Sequence, residues 1–597
     1  MVFLCGRQAT EACFCCLSHR EPTDRTQKTD TTTHSDFAIA AFSAIFPNSY
    51  FTNHESLPPF QDSFSIFATA FPNYKETLSK ANGIRDTEYP HLADHVCFDY
   101  SGVGLFSHSQ MLPGSYSVAA SPLFRISYKP ASLKSEVLYG EQETDFESSV
   151  RKQLTSFLNI SADDYGMVCT ASRTAAFRLL AESYPFQSNK RLITVYDYES
   201  EAVNAMTERA QRRGAKVVSA SFSWPRLSIH SAKLKKLLRS GSKEMKGLLV
   251  FPLMSRVTGV RYPYLWMKMA QEKGWHVALD ACTLCPKEMD TMGMTLIQPD
   301  FVICSFYKVF GENPSGFAGL FIKKSSRQVM DTSLLARSIG VVTIGRSLST
   351  LSPSVDDEIE LTRSFSGSLN SAQKLEKKEE GETSEMIGPS LDTVQVTREK
   401  GSGFLQEVDG EVEVEFRGLH HADSLGLLFI QRRLRYITNW LVIALTKLKH
   451  PLSGKGNSLV RIYGPEVKFD RGPAIAFNVF DWKGEKLDPS LVQKLADRSN
   501  ISLSCGFLQG ICFRDRKYEQ DKRAVLQKRA PGLFVSEHRK WSRNDLGIPV
   551  VSASLGFLVN FEDAYKLWAF IARFLDADFV EKERWRFATL NQKSIEV

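Results

Sequence analysis

This sequence predicts an α/β fold with a mostly parallel sheet, and three observations predict it. From 145 to 325, short apolar runs alternate with helical patterns roughly ten residues long. Polar residues recur just past the ends of several of those runs. A stretch poor in aromatic residues then separates this segment from a second one that mixes strands with long helices. Strands that alternate with crossover helices build right-handed parallel units. A sheet of that kind gathers its ligand sites at the carboxyl ends of its strands.

Taken in order, residues 1–90 are rich in Thr, Ser and Phe, with little periodicity before 71–81. They predict a largely disordered tail with helices near its end. Residues 96–102 read as a short apolar strand that ends in a turn. Within a large domain at 91–325, helices are expected at 146–158, 174–183, 201–213 and 264–273. Strands are expected at 165–169, 191–196, 216–221, 247–252, 276–280, 301–305 and 319–322. Residues 326–411 turn to Ser, Glu, Lys and Gly, and 364–400 carry almost no aromatics. Such a stretch buries too little surface to offset its ordering entropy, so a disordered insertion is expected there. Residues 412–597 predict a smaller α+β domain, with helices at 425–448 and 561–574 and strands at 474–480, 501–505 and 550–555.

The hydrophobic fraction of 43% and charged fraction of 24% are those of a globular protein, and 597 residues exceed one ordinary core. The formal charge of +7 is small for this length, and no basic block stands out, which argues against nucleic acid as a partner. No apolar run nears the ~18 residues of a membrane span. Residues 440–445, flanked by Arg435, Lys447 and Lys449, read as a buried helix. Eleven cysteines, scattered except near the start, suit a reduced, cytoplasmic setting. Cys5, Cys13, Cys15 and Cys16 are candidates for acylation, which would give reversible membrane association. The plainer reading, exposed thiols in a disordered tail, is preferred. The start lacks a secretory core, and Glu11 and Glu21 argue against a transit peptide.

Three strand ends carry the chemistry. Thr170-Ala-Ser-Arg-Thr174 lies between a strand and a helix, where unpaired backbone N–H groups can cradle a phosphate. Small hydroxyl residues also simply cap helices. Asp280 ends the apolar run from His276, and a carboxylate there either holds a pyridinium nitrogen protonated or caps a loop. Lys308 follows a buried strand between Tyr307 and Val309, with Phe306 and Phe310 beyond them. Desolvation lowers the pKa of such an amine, and a neutral amine is what Schiff-base chemistry requires. Gly311, Gly316 and Gly319 leave room for a ligand to approach the backbone. Cys282 and Cys285 have metal-like spacing, but four ligands are needed and no second pair lies nearby. His420 and His421 read as a surface or core feature.

The segment Pro299-Asp-Phe-Val-Ile-Cys-Ser-Phe-Tyr-Lys-Val-Phe-Gly-Glu-Asn-Pro-Ser-Gly316 closely resembles the lysine segment of molybdenum cofactor sulfurases, within the class V aminotransferase and cysteine desulfurase family. Ser255-Arg-Val-Thr-Gly-Val-Arg-Tyr-Pro263, Cys97-Phe-Asp-Tyr-Ser-Gly102 and Leu555-Gly-Phe-Leu-Val-Asn-Phe-Glu-Asp563 are similar to further family stretches, in the same order. The likeness covers roughly 90–325 and, more loosely, 412–580. Its texture is that of a plant-type branch, and the expectation is of a chain without a further carboxyl-terminal cofactor-binding domain.

This resemblance implies a type I pyridoxal-phosphate-dependent transferase fold, usually a homodimer with its site near the subunit interface. It implies pyridoxal 5'-phosphate as cofactor, L-cysteine as substrate and the molybdenum cofactor as a candidate sulfur acceptor. Lys308 would be the Schiff-base lysine, and Asp280 would face the pyridine nitrogen. Ser172 and Ser305, with Arg173, would hold the phosphate. Glu199 stands where the family stacks a His on the ring, with Tyr198 beside it, and Arg256 replaces an Asn.

In 502–512, Ser502 stands at the place of a carboxylate-binding Arg and Phe507 at that of the sulfur-accepting Cys. A hydroxyl cannot make the bidentate ion pair of a guanidinium, which weakens substrate binding by a few kcal/mol. Cys505 is the candidate replacement acceptor. The leading expectation is an enzyme of the sulfurtransferase, desulfurase-like type. Its alternatives are a protein with the same cofactor acting on another amino acid, with Arg256 holding the carboxylate, or a non-catalytic binding protein.

Overall fold

The computed structural model describes residues 28–99, 124–139, 145–239, 247–281, 297–305, 317–330, 340–346, 424–451, 457–513, 518–528 and 546–591, with isolated positions 108 and 421. Lys308, Cys282, Cys285, the four cysteines near the start and residues 347–411 of the expected insertion lie outside them.

Helices begin earlier than expected, with α1 (Lys28–Ala44), α2 (Phe60–Ala70) and α3 (Leu78–Glu88). In α2, Phe60, Phe64 and Phe67 recur at helical spacing and so share one face. Phe67 stacks on Phe561 with ring centroids 4.5 Å apart and meets Tyr74 at 4.7 Å. This segment therefore shares its core with the carboxyl-terminal half of the chain, around Trp440 and Trp568.

The large sheet has seven strands, β1 (Tyr165–Thr170), β2 (Arg191–Thr194), β3 (Lys216–Ser219), β4 (Gly247–Pro252), β5 (Trp275–Asp280), β6 (Phe301–Ser305) and β7 (Ala318–Lys323). Their order is β1-β7-β6-β5-β4-β2-β3. Only β7 runs against its neighbours, antiparallel to both β1 and β6. Every residue of β4 and β5 is buried, as a sheet covered on both faces demands. The covering helices include α4 (Asp145–Phe157), α5 (Arg173–Ser183), α6 (Glu201–Arg212), α7 (Ser231–Arg239) and α8 (Leu265–Glu272). Gly247 opens β4 at φ +139°, and a Cβ there would lie 2.1 Å from the Arg191 carbonyl oxygen, so only glycine lets β4 lie this close to β2.

The smaller α+β part follows from α9 (Leu427–Thr446), with β8 (Val460–Tyr463), β9 (Ala474–Val479), α10 (Pro489–Asp497), β10 (Ser504–Leu508), β11 (Leu546–Ser554), α11 (Phe561–Ala572) and α12 (Ala577–Asn591). Its antiparallel order is β8-β9-β11-β10.

Beyond shifts of a residue or two at element ends, three segments are placed differently from expectation. The strand expected at 501–505 splits into Ile501–Ser502 and β10. Val96–Cys97 pairs in parallel with Ile501–Ser502, so the stretch assigned to the start of the large domain lies with the smaller one. Val96 and Phe98 are buried in that second core, which draws the strand there. Residues 341–346 were expected within the disordered insertion. They instead form a strand, Val341–Arg346, held by antiparallel pairing with Phe124–Lys129. No helix among the described residues is long and apolar enough to cross a membrane.

Candidate functional site

The carboxyl ends of β1, β2 and β5 converge on Asp280. Being the last residue of β5, in register with Ile303 of β6 and Pro252 of β4, it is carried to the carboxyl edge of the sheet between two strands. Its side chain is fully buried. Oδ2 accepts from Nη2 of Arg173 at 2.6 Å and from the Tyr196 hydroxyl at 2.8 Å. A buried carboxylate persists only when paired in this way.

Arg173 reaches Asp280 because it opens α5 directly after β1. The Thr170 hydroxyl ties the intervening turn to the carbonyls of Ser172 and Ala318, at 3.2 and 3.1 Å. Ser172 caps the helix, its Oγ accepting from the Ala175 amide at 3.1 Å. The Arg173 guanidinium lies 5.2 Å from the Phe177 ring centre and donates to Ser200 Oγ at 3.3 Å. The turn expected to cradle a phosphate thus directs its one cation into the sheet edge, onto the carboxylate expected to face a pyridine nitrogen.

Past β2, Tyr196 and Tyr198 meet edge to face at 5.7 Å. The Tyr198 hydroxyl is buried without a hydrogen-bond partner. Burial drives its pKa upward against the charges of Arg173 and Arg256, so the phenol stays protonated. Between them, Asp197 accepts from Thr258 Oγ1 at 2.8 Å. Burial raises the Asp197 pKa, and hydrogen bonds from Ser255, Thr258 and Tyr262 oppose the rise. Those residues belong to the stretch 255–263 picked out in the sequence. Cys304 of β6 is likewise buried, its thiol pushed up by burial and by the neighbouring Asp280.

The smaller sheet closes over this edge. The Glu199 amide donates to the Phe507 carbonyl and the Gln509 amide to the Asp197 carbonyl, each at 2.8 Å. Gln509 Nε2 adds a bond to the Tyr198 carbonyl at 3.1 Å. Ser552 and Ser554 of β11 donate to the Val257 and Arg256 carbonyls, each at 3.2 Å.

Of the residues singled out in the sequence, Asp280, Arg173 and Ser172 are brought to one corner. Ser305 ends β6 half-buried, paired with Ala318. Glu199 is tied to Asn204, whose Nδ2 donates to Oε1 at 2.9 Å. Lys308 lies outside the described residues, three positions past Ser305 in sequence. Cys505 points at helix α10, its Sγ donating to Gln493 Oε1 at 3.1 Å. Burial, with Asp488 and Asp497 nearby, pushes its thiol up to about 12. Its strand neighbours face the other way, Ser504 towards Asp99 and Gly506 towards Val257. Ser502 Oγ lies 2.6 Å from Nε2 of His95. Tyr196 and Ser200 went unnoticed in the sequence, although Tyr196 ends the strand expected at 191–196 and the rule of carboxyl ends points to it.

A desolvated carboxylate with a cation on it, beside an orphaned phenol, can hold a positively charged ring nitrogen and give a hydrogen bond to a ligand atom. No protein-family model matches the chain. It is 25% identical over 514 residues to the molybdenum cofactor sulfurase of Homo sapiens, covering 82% of this chain and 50% of that one. It is 23% identical over 545 residues to the molybdenum cofactor sulfurase of Arabidopsis thaliana, covering 83% and 58%. The chain thus spans about half the length of the curated relatives it matches. Among solved structures it is similar to a cysteine desulfurase from Thermococcus onnurineus, at 14% identity and a TM-score of 0.47 over 83% of this chain and 98% of that one. A similar likeness holds for the cysteine desulfurase CsdA of Escherichia coli, at 15% identity and 0.46 over 83% and 98%. The resemblance read from the sequence and these relatives agree on molybdenum cofactor sulfurases.

Proposed function

We propose that this chain is a pyridoxal-phosphate-dependent transferase of the sulfur-transfer type, with L-cysteine as substrate and Lys308 as the residue that carries the cofactor. The observation that supports it most is the place of Asp280, buried at the end of β5 and in register with β6, whose sequence runs on to Lys308. The residues present suit the group in kind: the buried, unpartnered Tyr198 hydroxyl is an orphan that a ligand atom would satisfy. When bound, the cofactor supplies an electron sink. The chain's own part would be to hold positive charge at Asp280, hydrogen-bond through Tyr198, and seat a phosphate with Ser172, Ser305 and the start of α5. The closing of β10 over residues 197–199 would keep water from that edge. Transfer of sulfur to the molybdenum cofactor, a homodimeric assembly and a cytoplasmic setting are proposed on the same likeness to relatives.

A second reading, the same cofactor with another amino acid or with no turnover, is favoured by Cys505 and Ser502. A thiol held protonated up to about 12 is a poor nucleophile for accepting sulfur. Ser502, at the place of the carboxylate-binding Arg, is already engaged by His95.

Absorbance of the purified protein, with and without pyridoxal phosphate, compared with Lys308→Ala, tests the first claim. A band near ~410–430 nm that vanishes in the variant is expected for a cofactor held through a lysine imine. No Lys308-dependent band removes both readings of the site as a cofactor site. If the band is present, its change with L-cysteine but not with other amino acids separates the first reading from the second.

A further inference from the structure

Two residues at the carboxyl edge of the large sheet have backbones held from both domains and polar side-chain groups left over. Tyr198 is 4% exposed, and its hydroxyl is buried without a hydrogen-bond partner. Its carbonyl accepts from Gln509 Nε2 at 3.1 Å, and its backbone bridges to Leu508 of β10. Arg256 belongs to the turn after β4, where the Gly259 amide donates to the Ser255 carbonyl at 3.0 Å and the Thr258 amide to Ser255 Oγ at 3.1 Å. Thr258 ties that turn to Asp197, the residue before Tyr198, at 2.8 Å. From the other side, Ser554 of β11 donates to the Arg256 carbonyl at 3.2 Å. Arg256 is half-buried, and among the described residues its side chain forms no ion pair and no hydrogen bond. Its charge, like that of Arg173, acts on the Tyr198 phenol. Arg173 lies on Asp280 and Asp197 accepts from Thr258, so Arg256 is the cation of this group without an anion on it among the described residues.

We propose that Tyr198 and Arg256 together form a subsite for the α-carboxylate of an amino-acid substrate. This rests on the reading of the site as a pyridoxal-phosphate site and names how that site holds its substrate. A carboxylate satisfies both groups at once: the guanidinium gives it a charge-assisted, bidentate contact, and the phenol donates to one of its oxygens. An uncharged group would meet the phenol and leave the cation without its anion. The link from Thr258 to Asp197 fixes the spacing of the two residues, so binding has only side chains to order. Ser502, at the place of a carboxylate-binding Arg, offers no charge, and its Oγ lies 2.6 Å from His95 Nε2. Recognition of the carboxylate thus passes to the turn after β4 and the residues after β2, with the smaller sheet closing over both. The class of ligand selected is an α-amino acid, and an amine without the carboxylate is a poor substitute.

The test uses the full chain loaded with pyridoxal phosphate, with the Lys308-dependent absorbance band followed as ligand is added. L-Cysteine is compared with cysteamine and L-serine with ethanolamine, each pair differing only by the carboxylate. In the unchanged chain an amino acid that moves the band should bind at least ~10-fold more tightly than its amine, as a charge-assisted contact predicts. Arg256→Gln should remove most of that ratio by weakening the amino acid, with the response to the amine and the affinity for pyridoxal phosphate unchanged. Arg256→Lys keeps the charge without the fork, should restore part of the ratio, and serves where the glutamine variant folds poorly. Tyr198→Phe, which removes a neutral donor, should narrow the ratio less, by about 3-fold. Equal weakening of amino acid and amine in Arg256→Gln, or a changed affinity for pyridoxal phosphate, would place Arg256 on the cofactor or in the scaffold and overturn the subsite. So would a Lys308-dependent band that neither amino acid moves, and in both cases the cofactor reading stands. If no band depends on Lys308, the cofactor reading falls and the subsite with it.

Discussion

Two of the arginine–aspartate pairs among the described residues, Arg85 with Asp563 and Arg173 with Asp280, serve opposite ends. Arg85 and Asp563 meet through two parallel bonds, Nη1 to Oδ2 at 2.6 Å and Nη2 to Oδ1 at 2.8 Å. The same guanidinium donates to the carbonyls of Leu558 and Leu92, while Asp563 Oδ2 also takes the Asn560 amide and so completes the cap of α11. Nothing there invites a ligand. It is a staple that fastens the amino-terminal helices to the smaller domain, backed by Arg433 over the Tyr74 ring at 4.8 Å. Arg173 and Asp280 share their oxygen with a phenol and lie beside an orphaned hydroxyl, at the edge where strand ends gather. The lesson is that burial of an ion pair does not say what it is for. The groups around it say more: a pair closed in by further backbone bonds specifies structure, and a pair beside an orphaned hydroxyl such as that of Tyr198 marks a place where a ligand atom can bind.

The largest effect that would sharpen this contrast is at the staple. Arg85→Ala leaves Asp563 buried without its cation and should destabilise the chain by about 3–5 kcal/mol in urea unfolding, with cofactor affinity unchanged. If it alters affinity, the two pairs are not functionally distinct and the comparison breaks.

A middle effect comes from the opposite end of β5. His276 Nδ1 lies 2.8 Å from the Tyr184 hydroxyl, and burial lowers the pKa of the ring from 6.5, with Asp300 opposing. The native ring resists protonation, so as the pH falls through 6.5 the unfolded chain takes up a proton before the native chain does. This contribution to stability is therefore present above 6.5 and is lost as the pH falls below it. The melting temperature should fall between about pH 7.5 and about pH 5.5, and His276→Gln should flatten part of that fall. An unchanged slope would show that the ring titrates alike in the native and unfolded chains.

The smallest effect is expected at Cys505. Its thiol makes one bond to Gln493 in a half-buried place, so Cys505→Ala should cost no more than ~1 kcal/mol. With the thiol held protonated up to about 12, sulfide release from L-cysteine should also be unaffected. Loss of release in that variant would restore Cys505 as the sulfur acceptor.

Much of the large sheet was legible because a parallel sheet buried on both faces writes itself as continuous apolar runs. The runs at 247–252 and 301–305 match β4 and β6 residue for residue. Asp280 was legible for a related reason, as the first charge after such a run. What escaped was pairing between distant segments. Residues 341–346 open on four β-branched residues, Val341-Val-Thr-Ile344, but their pairing with the distant Phe124–Lys129 has no signal in the local sequence. Val96–Cys97 looked like the start of the large domain and instead joins Ile501–Ser502.

The site divides along the same line. The order of elements along the chain determined which residues end up at the carboxyl edge of the sheet, because strand direction follows from right-handed crossovers, and that much could be read from Ser172, Asp280 and Ser305 in the sequence. Side-chain contacts across that edge could not. The family resemblance assigned Arg173 to a phosphate, and only the tertiary structure turned it onto Asp280. The physical reason is that a buried carboxylate takes the nearest cation the packing offers. Which one is nearest depends on the meeting of β1, β2 and β5, segments more than twenty residues apart in sequence.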